Sequence, residues 1–339
     1  MLPFISSIDL KTGGNLKETV SDFVVEEIPL YLPSGKGQHI YLLLKREGKS
    51  TKEVVEDLIS LFDIKETDLG VAGLKDKHAI TTQWFSLSLG INFTTVKAEE
   101  LIKEKLEYLT ILEVSRHTNK LKTSHLIGNK FEITLRNCIE GAYRNALSIK
   151  TTLEEKGVPN YYGKQRFGSK GTNHIVGKEV LLKTKKLKKH WMKKLMLSAY
   201  QSHLFNTWLA NRINDNYFSS LIEGDLLQGV DQQRPFPFSN ERDHELEFKE
   251  QKISYTGPMF GNKVSTPTGD ALLREIKLLN DEEITLEDFK AAKLPGARRI
   301  AHIFIKDLEI SEKESSLVFS FSLPKGSYAT SLIREFTKE

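Results

Sequence analysis

The sequence predicts an α+β protein in which one mixed domain is interrupted by a second, mainly helical one. Three observations carry that reading. The first half of the chain reads as mixed strand and helix. After Gly157 helical periodicity takes over, broken by irregular connections such as Gln233-Arg234-Pro235-Phe236-Pro237 and Thr256-Gly257-Pro258-Met259-Phe260-Gly261. Near the end the alternation returns, with Leu317, Phe319, Phe321 and Leu323 interleaved with Val318, Ser320 and Ser322. Strand character on both sides of a helical middle is most simply a discontinuous domain carrying an insertion.

The elements follow in order. Residues 22–28 and 39–44 read as strands on either side of a Pro33-Ser34-Gly35 turn. Ser50-Thr51-Lys52-Glu53 fits a capping box, and the helix it opens carries Val54, Leu58 and Leu61 at helical spacing. Residues 84–89 and 131–135 look like strands. A helix over 141–156 puts Ala146, Ile149 and Leu153 on one face, and Gly157 with Pro159 stops it. Residues 190–215 form one long helix, whose stripe of Leu197, Tyr200, Leu204 and Trp208 is core. After the last strand, the turn Pro324-Lys325-Gly326-Ser327 leads to a closing helix with Leu332, Ile333 and Phe336.

Composition narrows the function classes. A chain of 339 residues, 39% hydrophobic and 28% charged, has the make-up of a soluble globular protein with room for two cores. A net charge of +4 permits a nucleic-acid partner without demanding one. The single cysteine, Cys138, rules out an intrachain disulfide and suits a reducing compartment. The histidines are scattered without metal-ligand spacing, so no metal is expected. The start, Met1-Leu2-Pro3-Phe4-Ile5, does not read as a secretory signal, and no window has bilayer-spanning length; a cytoplasmic monomer is expected.

The most distinctive stretch runs from Gly73 to Gln83, where Asp76 sits between Lys75 and Lys77. Flanking cations favour the ionised carboxylate. A charged carboxylate is a poor general acid but a plausible nucleophile or charge stabiliser. A solvated turn is the plainer reading of the same residues. Three clusters add cations. Lys183, Lys185, Lys186, Lys188, Lys189, Lys193 and Lys194 surround His190 and Trp191. Arg116-His117-Thr118-Asn119-Lys120-Leu121-Lys122 is the second, and residues 160–168 mix cations, tyrosines and glycines. Phosphates want cations along a face, and unpaired bases want planes to stack on. A solvated helix face and a self-packed turn are the plainer readings of the first and third.

Read together, these segments resemble the TruD family of tRNA pseudouridine synthases. The matching blocks are residues 22–27, 73–79, 128–131, 158–163 with 165–168, and 323–330 with Arg334-Glu335, in family order over almost the whole chain. The resemblance implies a pseudouridine-synthase fold with a mixed, mostly antiparallel sheet. It implies a discontinuous catalytic domain over 1–156 and 304–339, and a mainly helical TRUD insertion domain over 157–303. It puts the catalytic aspartate at Asp76 and uridine-site residues at Lys17, Phe23, Asn129, Phe131 and Tyr328, where the family commonly has Phe at the last. The implied substrate is tRNA, at the uridine of position 13 in the D-arm, with no cofactor.

In such a reaction Asp76 attacks C1′ or assists loss of the 2′ proton, and both routes remain open. Tyr328 or Phe131 would stack on the flipped base. Asn129 offers donor and acceptor to the uracil edge. Lys17, Lys75 and Lys77 could hold flanking phosphates. Arg334 is the candidate cation for Asp76, with a surface ion pair to Glu335 or Glu339 as its alternative. Two other classes compete: a non-catalytic RNA-binding protein, and a phosphotransferase or nuclease. The latter wants clustered carboxylates, and Asp281-Glu282-Glu283 reads better as the polar start of a helix.

Overall fold

The computed structural model describes residues 2–229, 234–239 and 243–339. Met1 of the N-terminal segment and Gln233 of the expected Pro-rich connection lie outside them. The chain packs into two compact units. One comprises Thr12–Leu147 and Asp307–Gly326; the other comprises Met1–Lys11, Ser148–Lys306 and Ser327–Glu339.

The first unit is built on a sheet of nine of the described strands. Its main path runs Glu309–Lys313, Ser316–Pro324, Leu126–Cys138, Phe23–Pro29, Ile80–Leu87, His39–Glu47, Thr110–His117, and Gly13–Leu16 and Leu69–Val71 pair off that path. The late strand Ser316–Pro324 pairs antiparallel with Leu126–Cys138, setting Phe319 opposite Ile133 and Phe321 opposite Phe131. Leu317, Phe319, Phe321 and Leu323 are all buried, as their alternation requires. Each such side chain removed from water contributes about 2 kcal/mol, which is why the sheet takes back a strand so distant in sequence.

Among the described strands of this sheet, Phe23–Pro29 and Ile80–Leu87 are the parallel pair, with Val24 opposite Ile80. Parallel neighbours start at the same end of a sheet. The segments that lead into them, residues 17–22 and 73–79, therefore emerge side by side. Helix Thr51–Phe62 is opened by the reciprocal bonds of its capping box: Ser50 Oγ accepts from Glu53 N at 3.2 Å, and Glu53 accepts from Ser50 N at 2.8 Å. Its Val54 and Leu58 pack with Ile40, Leu42, Leu44 and Phe85 in one core.

Helices dominate the second unit. His190–Asn214 is its spine, with Leu197, Tyr200, Leu204, Phe205 and Trp208 buried in the core. The expected irregular connection at 256–261 is instead largely a strand, Ile253–Met259, in a four-stranded sheet with Phe236–Pro237, Leu226–Gly229 and Ala297–Ile300. Gly257 and Pro258 masked it in the sequence. Gly257 is needed because a Cβ there would lie 2.5 Å from the Trp208 ring, so the spine dictates a residue that strands disfavour.

Asp281-Glu282-Glu283 ends helix Gly269–Asp281 rather than starting one. Glu282 is drawn into bonds from Lys178 Nζ at 2.8 Å and Tyr200 Oη at 2.9 Å, and Glu283 has φ +53°. The closing helix Ala329–Thr337 buries Leu332, Ile333 and Phe336 in this unit. Glu335 accepts from the main chain of Ile5 at 3.0 Å and of Ser6 at 3.3 Å, pinning the N-terminal segment to that helix.

Candidate active site

The turn after strand Gly13–Leu16 puts Lys17 at φ +61°, a conformation that costs a non-glycine residue roughly 1 kcal/mol. Its main-chain oxygen bonds His78 Nε2 at 3.2 Å. From there the side chain lays its ammonium 3.9 Å from the centre of the Phe23 ring and 2.9 Å from Asp76 Oδ2. The cation on the Asp76 carboxylate is thus Lys17. It is neither of the flanking lysines nor the expected Arg334. Asp76 keeps 29% of its side chain exposed.

The turn is braced from below. Asp22 is buried and takes Arg136 Nε at 2.9 Å and Thr19 N at 2.7 Å. Burial pushes its carboxyl up, but the bonds from Arg136 and Thr19 more than offset this and hold it below the ordinary value.

The loop that carries Asp76 is tied down on both sides. Gln83 Nε2 donates to Gly73 O at 2.6 Å, and Lys75 N donates to Thr51 Oγ1 at 2.9 Å. Arg46, fully buried, donates to both Thr51 Oγ1 and Gln83 Oε1. The Lys75 side chain turns inward and is 4% exposed. Its ammonium meets Glu27 Oε2 at 2.9 Å and Asn129 Oδ1 at 2.5 Å. Burial pushes that ammonium below its ordinary value, against the opposing pull of Glu27. The expectation that Lys75 meets phosphate is therefore corrected, because a sealed ammonium cannot leave a buried carboxylate unpaired.

Lys77, two residues on, points the other way. It is exposed and pairs with Glu53 at 2.9 Å. The bond from Ser50 N and then the Lys77 ammonium hold the Glu53 carboxyl down to about 2.

Phe131 is buried. Its ring is stacked on Phe321 at 5.4 Å between centroids and edge-on to Phe23 at 6.0 Å. It is a floor beneath Phe23, and the expectation that it stacks on a base is corrected by those neighbours. Lys17, Phe23, Asp76, Lys75, Asn129 and Phe131 thus form one chain of contacts within the sheet unit.

Tyr328 and Arg334 belong to the helical unit. The Tyr328 ring lies edge-on to Tyr162 at 5.8 Å, and its Cδ1 would be 3.2 Å from a Cβ on Gly163. Arg334 donates to the carbonyls of Leu2 and Pro3 and lies 3.8 Å over the Phe4 ring. Burial holds its guanidinium below the ordinary value, with Glu335 pulling the other way.

The cationic clusters separate by use. In the second, Arg116 donates to the carbonyls of Gly37 and Phe93, and His117 stacks on Tyr31. In the third, Tyr162 is covered by Arg299 at 4.0 Å, and Arg166 donates to Ser202 Oγ at 2.9 Å. In the first, Lys183, Lys186, Lys188, Lys189 and Lys194 are exposed beside Trp191, which is 60% exposed.

The sequence reading missed Glu27, Arg46, Thr51 and Gln83 as supports of the loop. A signal existed for two of them. Glu27 shares the buried face of its strand with Phe23 and Val25, and Arg46 shares one with Ile40, Leu42 and Leu44. A charge at an apolar position of a period-2 pattern calls for a buried partner.

Among the described residues no group of three or more His, Cys, Asp or Glu is placed to hold a metal ion, and no helix is long and apolar enough to cross a membrane. What the site offers is an open carboxylate with one fixed cation, beside an amide and an aromatic floor.

Comparison with known proteins gives a consistent picture. The family model described as tRNA pseudouridine synthase D (TruD) matches residues 4–188 and 184–336. A tRNA pseudouridine synthase D of Thermus thermophilus is 39% identical over 342 residues, covering 99% of this chain and 92% of the relative. That of Anaeromyxobacter sp. Fw109-5 is 37% identical over 335 residues, covering 96% and 93%. A solved structure from Methanosarcina mazei, provisionally assigned as tRNA pseudouridine synthase D (TruD), has a TM-score of 0.79 at 23% identity, covering 99% of this chain and 96% of that one. The expected α+β pseudouridine-synthase fold holds.

Proposed function

The chain belongs to the TruD family of tRNA pseudouridine synthases, and from that premise we propose that Asp76 is its catalytic group and the uridine at position 13 of the tRNA D-arm its target. The family is one of isomerases, and this chain isomerises uridine in tRNA. The observation that carries the catalytic assignment is the Asp76 carboxylate, open to solvent yet held at 2.9 Å by Lys17. Asp22 and Glu27 are sealed in by comparison.

The reaction breaks N1–C1′, turns the uracil and joins C5 to C1′, with the C5 proton leaving. Atoms and electrons balance without an oxidant or reductant. The carboxylate acts either by attack on C1′ or by helping the 2′ proton away, and both demand an ionised group placed against the sugar. Lys17 fixes that group. Phe23, buried between Phe131 and the Lys17 ammonium, holds that ammonium in place, and Asn129 meets the uracil edge. The proposed functional division, 1–156 with 304–339 as the catalytic domain and 157–303 as the TRUD insertion domain, differs from the compact units, which group Met1–Lys11 and Ser327–Glu339 with the helical residues; the protein acts as a cytoplasmic monomer.

The test is Asp76→Asn. Tritium release from C5-labelled tRNA falls to background while tRNA retention in a gel shift stays near wild type. An Asn variant that turns over at the wild-type rate refutes the assignment. Pseudouridine maps of tRNA from cells with and without the gene check the position: loss at a site other than 13 corrects the target.

A further inference from the structure

We propose that Lys75 is a positioning residue for uracil recognition: by occupying the carbonyl oxygen of Asn129, it leaves that residue to meet the base as a hydrogen-bond donor to a uracil carbonyl. The proposal rests on the function above and deepens it.

The argument begins with the chemistry of the pair. A lysine ammonium only donates. Its partner on Asn129, at 2.5 Å, must be the carbonyl oxygen. Among the described residues the Asn129 amide nitrogen makes no hydrogen bond, so its two N–H donors remain for a ligand. A free asparagine could turn over and accept from uracil N3–H; this one cannot without stripping Lys75.

Lys75 has no freedom to let go. Its side chain is 4% exposed, its ammonium is 2.9 Å from a Glu27 carboxylate that is 0% exposed, and its main-chain N–H is bonded to Thr51 Oγ1. Releasing Lys75 would leave Glu27 charged, buried and alone. Strand register adds a second constraint, because Glu27 stands directly opposite Asn129 across the antiparallel pair. The same residue precedes Asp76 in the chain, so one buried ammonium sets the base-reading amide and anchors the loop of the carboxylate.

The experiment compares wild type, Lys75→Met, and the double variant Glu27→Gln with Lys75→Met, which buries no lone charge. Substrates are tRNA transcripts with uridine, 2-thiouridine or 4-thiouridine at the converted position, and products are measured by nucleoside mass spectrometry. Sulfur is the poorer acceptor, so wild type prefers uridine over one of the thio substrates by roughly tenfold in kcat/KM. In a variant that melts as a folded protein the preference shrinks toward unity, since the amide can turn. A merely structural role lowers kcat/KM for all three substrates together. An unchanged preference in a folded variant, or no preference in wild type, overturns the role of Lys75 while leaving the isomerase standing. Wild type that converts no tRNA uridine overturns the proposed function and this role with it.

Discussion

The Lys17 ammonium stands 2.9 Å from Asp76 Oδ2 across 59 positions of sequence. One side-chain contact thus joins the turn before Phe23 to the loop before Ile80, at the end where their two parallel strands begin. A carboxylate fixed this way needs no reorganisation when charge develops on a bound sugar. Lys17→Met, which keeps the stem over Phe23 and removes the charge, should lower the single-turnover rate by roughly a hundredfold with little change in tRNA affinity. Lys17→Arg should recover only part of it, because a planar fork does not replace a point charge at one oxygen. A Met variant at full rate would show the pair to be ornamental.

The lysine-rich segment before and inside helix His190–Asn214 invites a salt titration. Lys186, Lys188, Lys189 and Lys194 are exposed and cluster with the exposed Trp191. If they contact tRNA phosphates, changing all four to Gln should flatten the plot of log affinity against log salt by roughly 3 units of slope. The rate at saturating tRNA should hold. An unchanged slope would make this a solvated helix face.

His302 should give the protein an acid-sensitive core. Its ring lies among Phe218, Phe248 and Phe304, and Nε2–H donates to Lys156 O at 2.6 Å. Burial pushes it down from 6.5 to about 3. The unfolded chain therefore binds the proton more tightly between those values. Stability from the neutral ring is present above about 6.5 and is lost as the pH falls toward 3, by a few kcal/mol in all. Urea midpoints should drop between pH 7 and pH 5, and His302→Phe should make that drop shallower. Equal slopes in the two proteins would contradict the assignment. Gly157→Ala should destabilise the same spot, since φ is +76° and a Cβ would sit 2.2 Å from the imidazole.

Arg212 and Asp225 form a buried pair in the helical unit, 1% and 2% exposed, with Nη2 and Oδ2 at 2.7 Å. The guanidinium also lies 3.6 Å over the Tyr255 ring. Arg212→Met should cost about 3–5 kcal/mol in urea unfolding, because Asp225 is left charged and buried. Adding Asp225→Asn should return part of that loss. A double variant no better than the single would mean that the packing over Tyr255, rather than the charge, is what matters.

Much of the fold was legible in local pattern. Leu317, Phe319, Phe321 and Leu323 alternate in sequence and are buried in the strand. Ser50 and Glu53 form their capping box as spelled. The strand at Ile253–Met259 was hidden because Gly257 answers to the Trp208 ring rather than to its own neighbours. Such a steric demand leaves no periodic trace.

The candidate site divides the same way. An aspartate between two lysines, after a glycine and before a strand, is a local fact, and so are the charges of Glu27 and Arg46 on apolar strand faces. Where each cation goes was decided only in three dimensions. Lys75 is drawn under the loop to Glu27, Lys77 swings out to Glu53, and the ammonium on Asp76 comes from Lys17. Alternation and helical spacing report which face an element buries, but a loop side chain obeys whatever charge the folded sheet brings near it. That charge sits on another strand, helix or turn, so its position is a property of the fold and not of the segment.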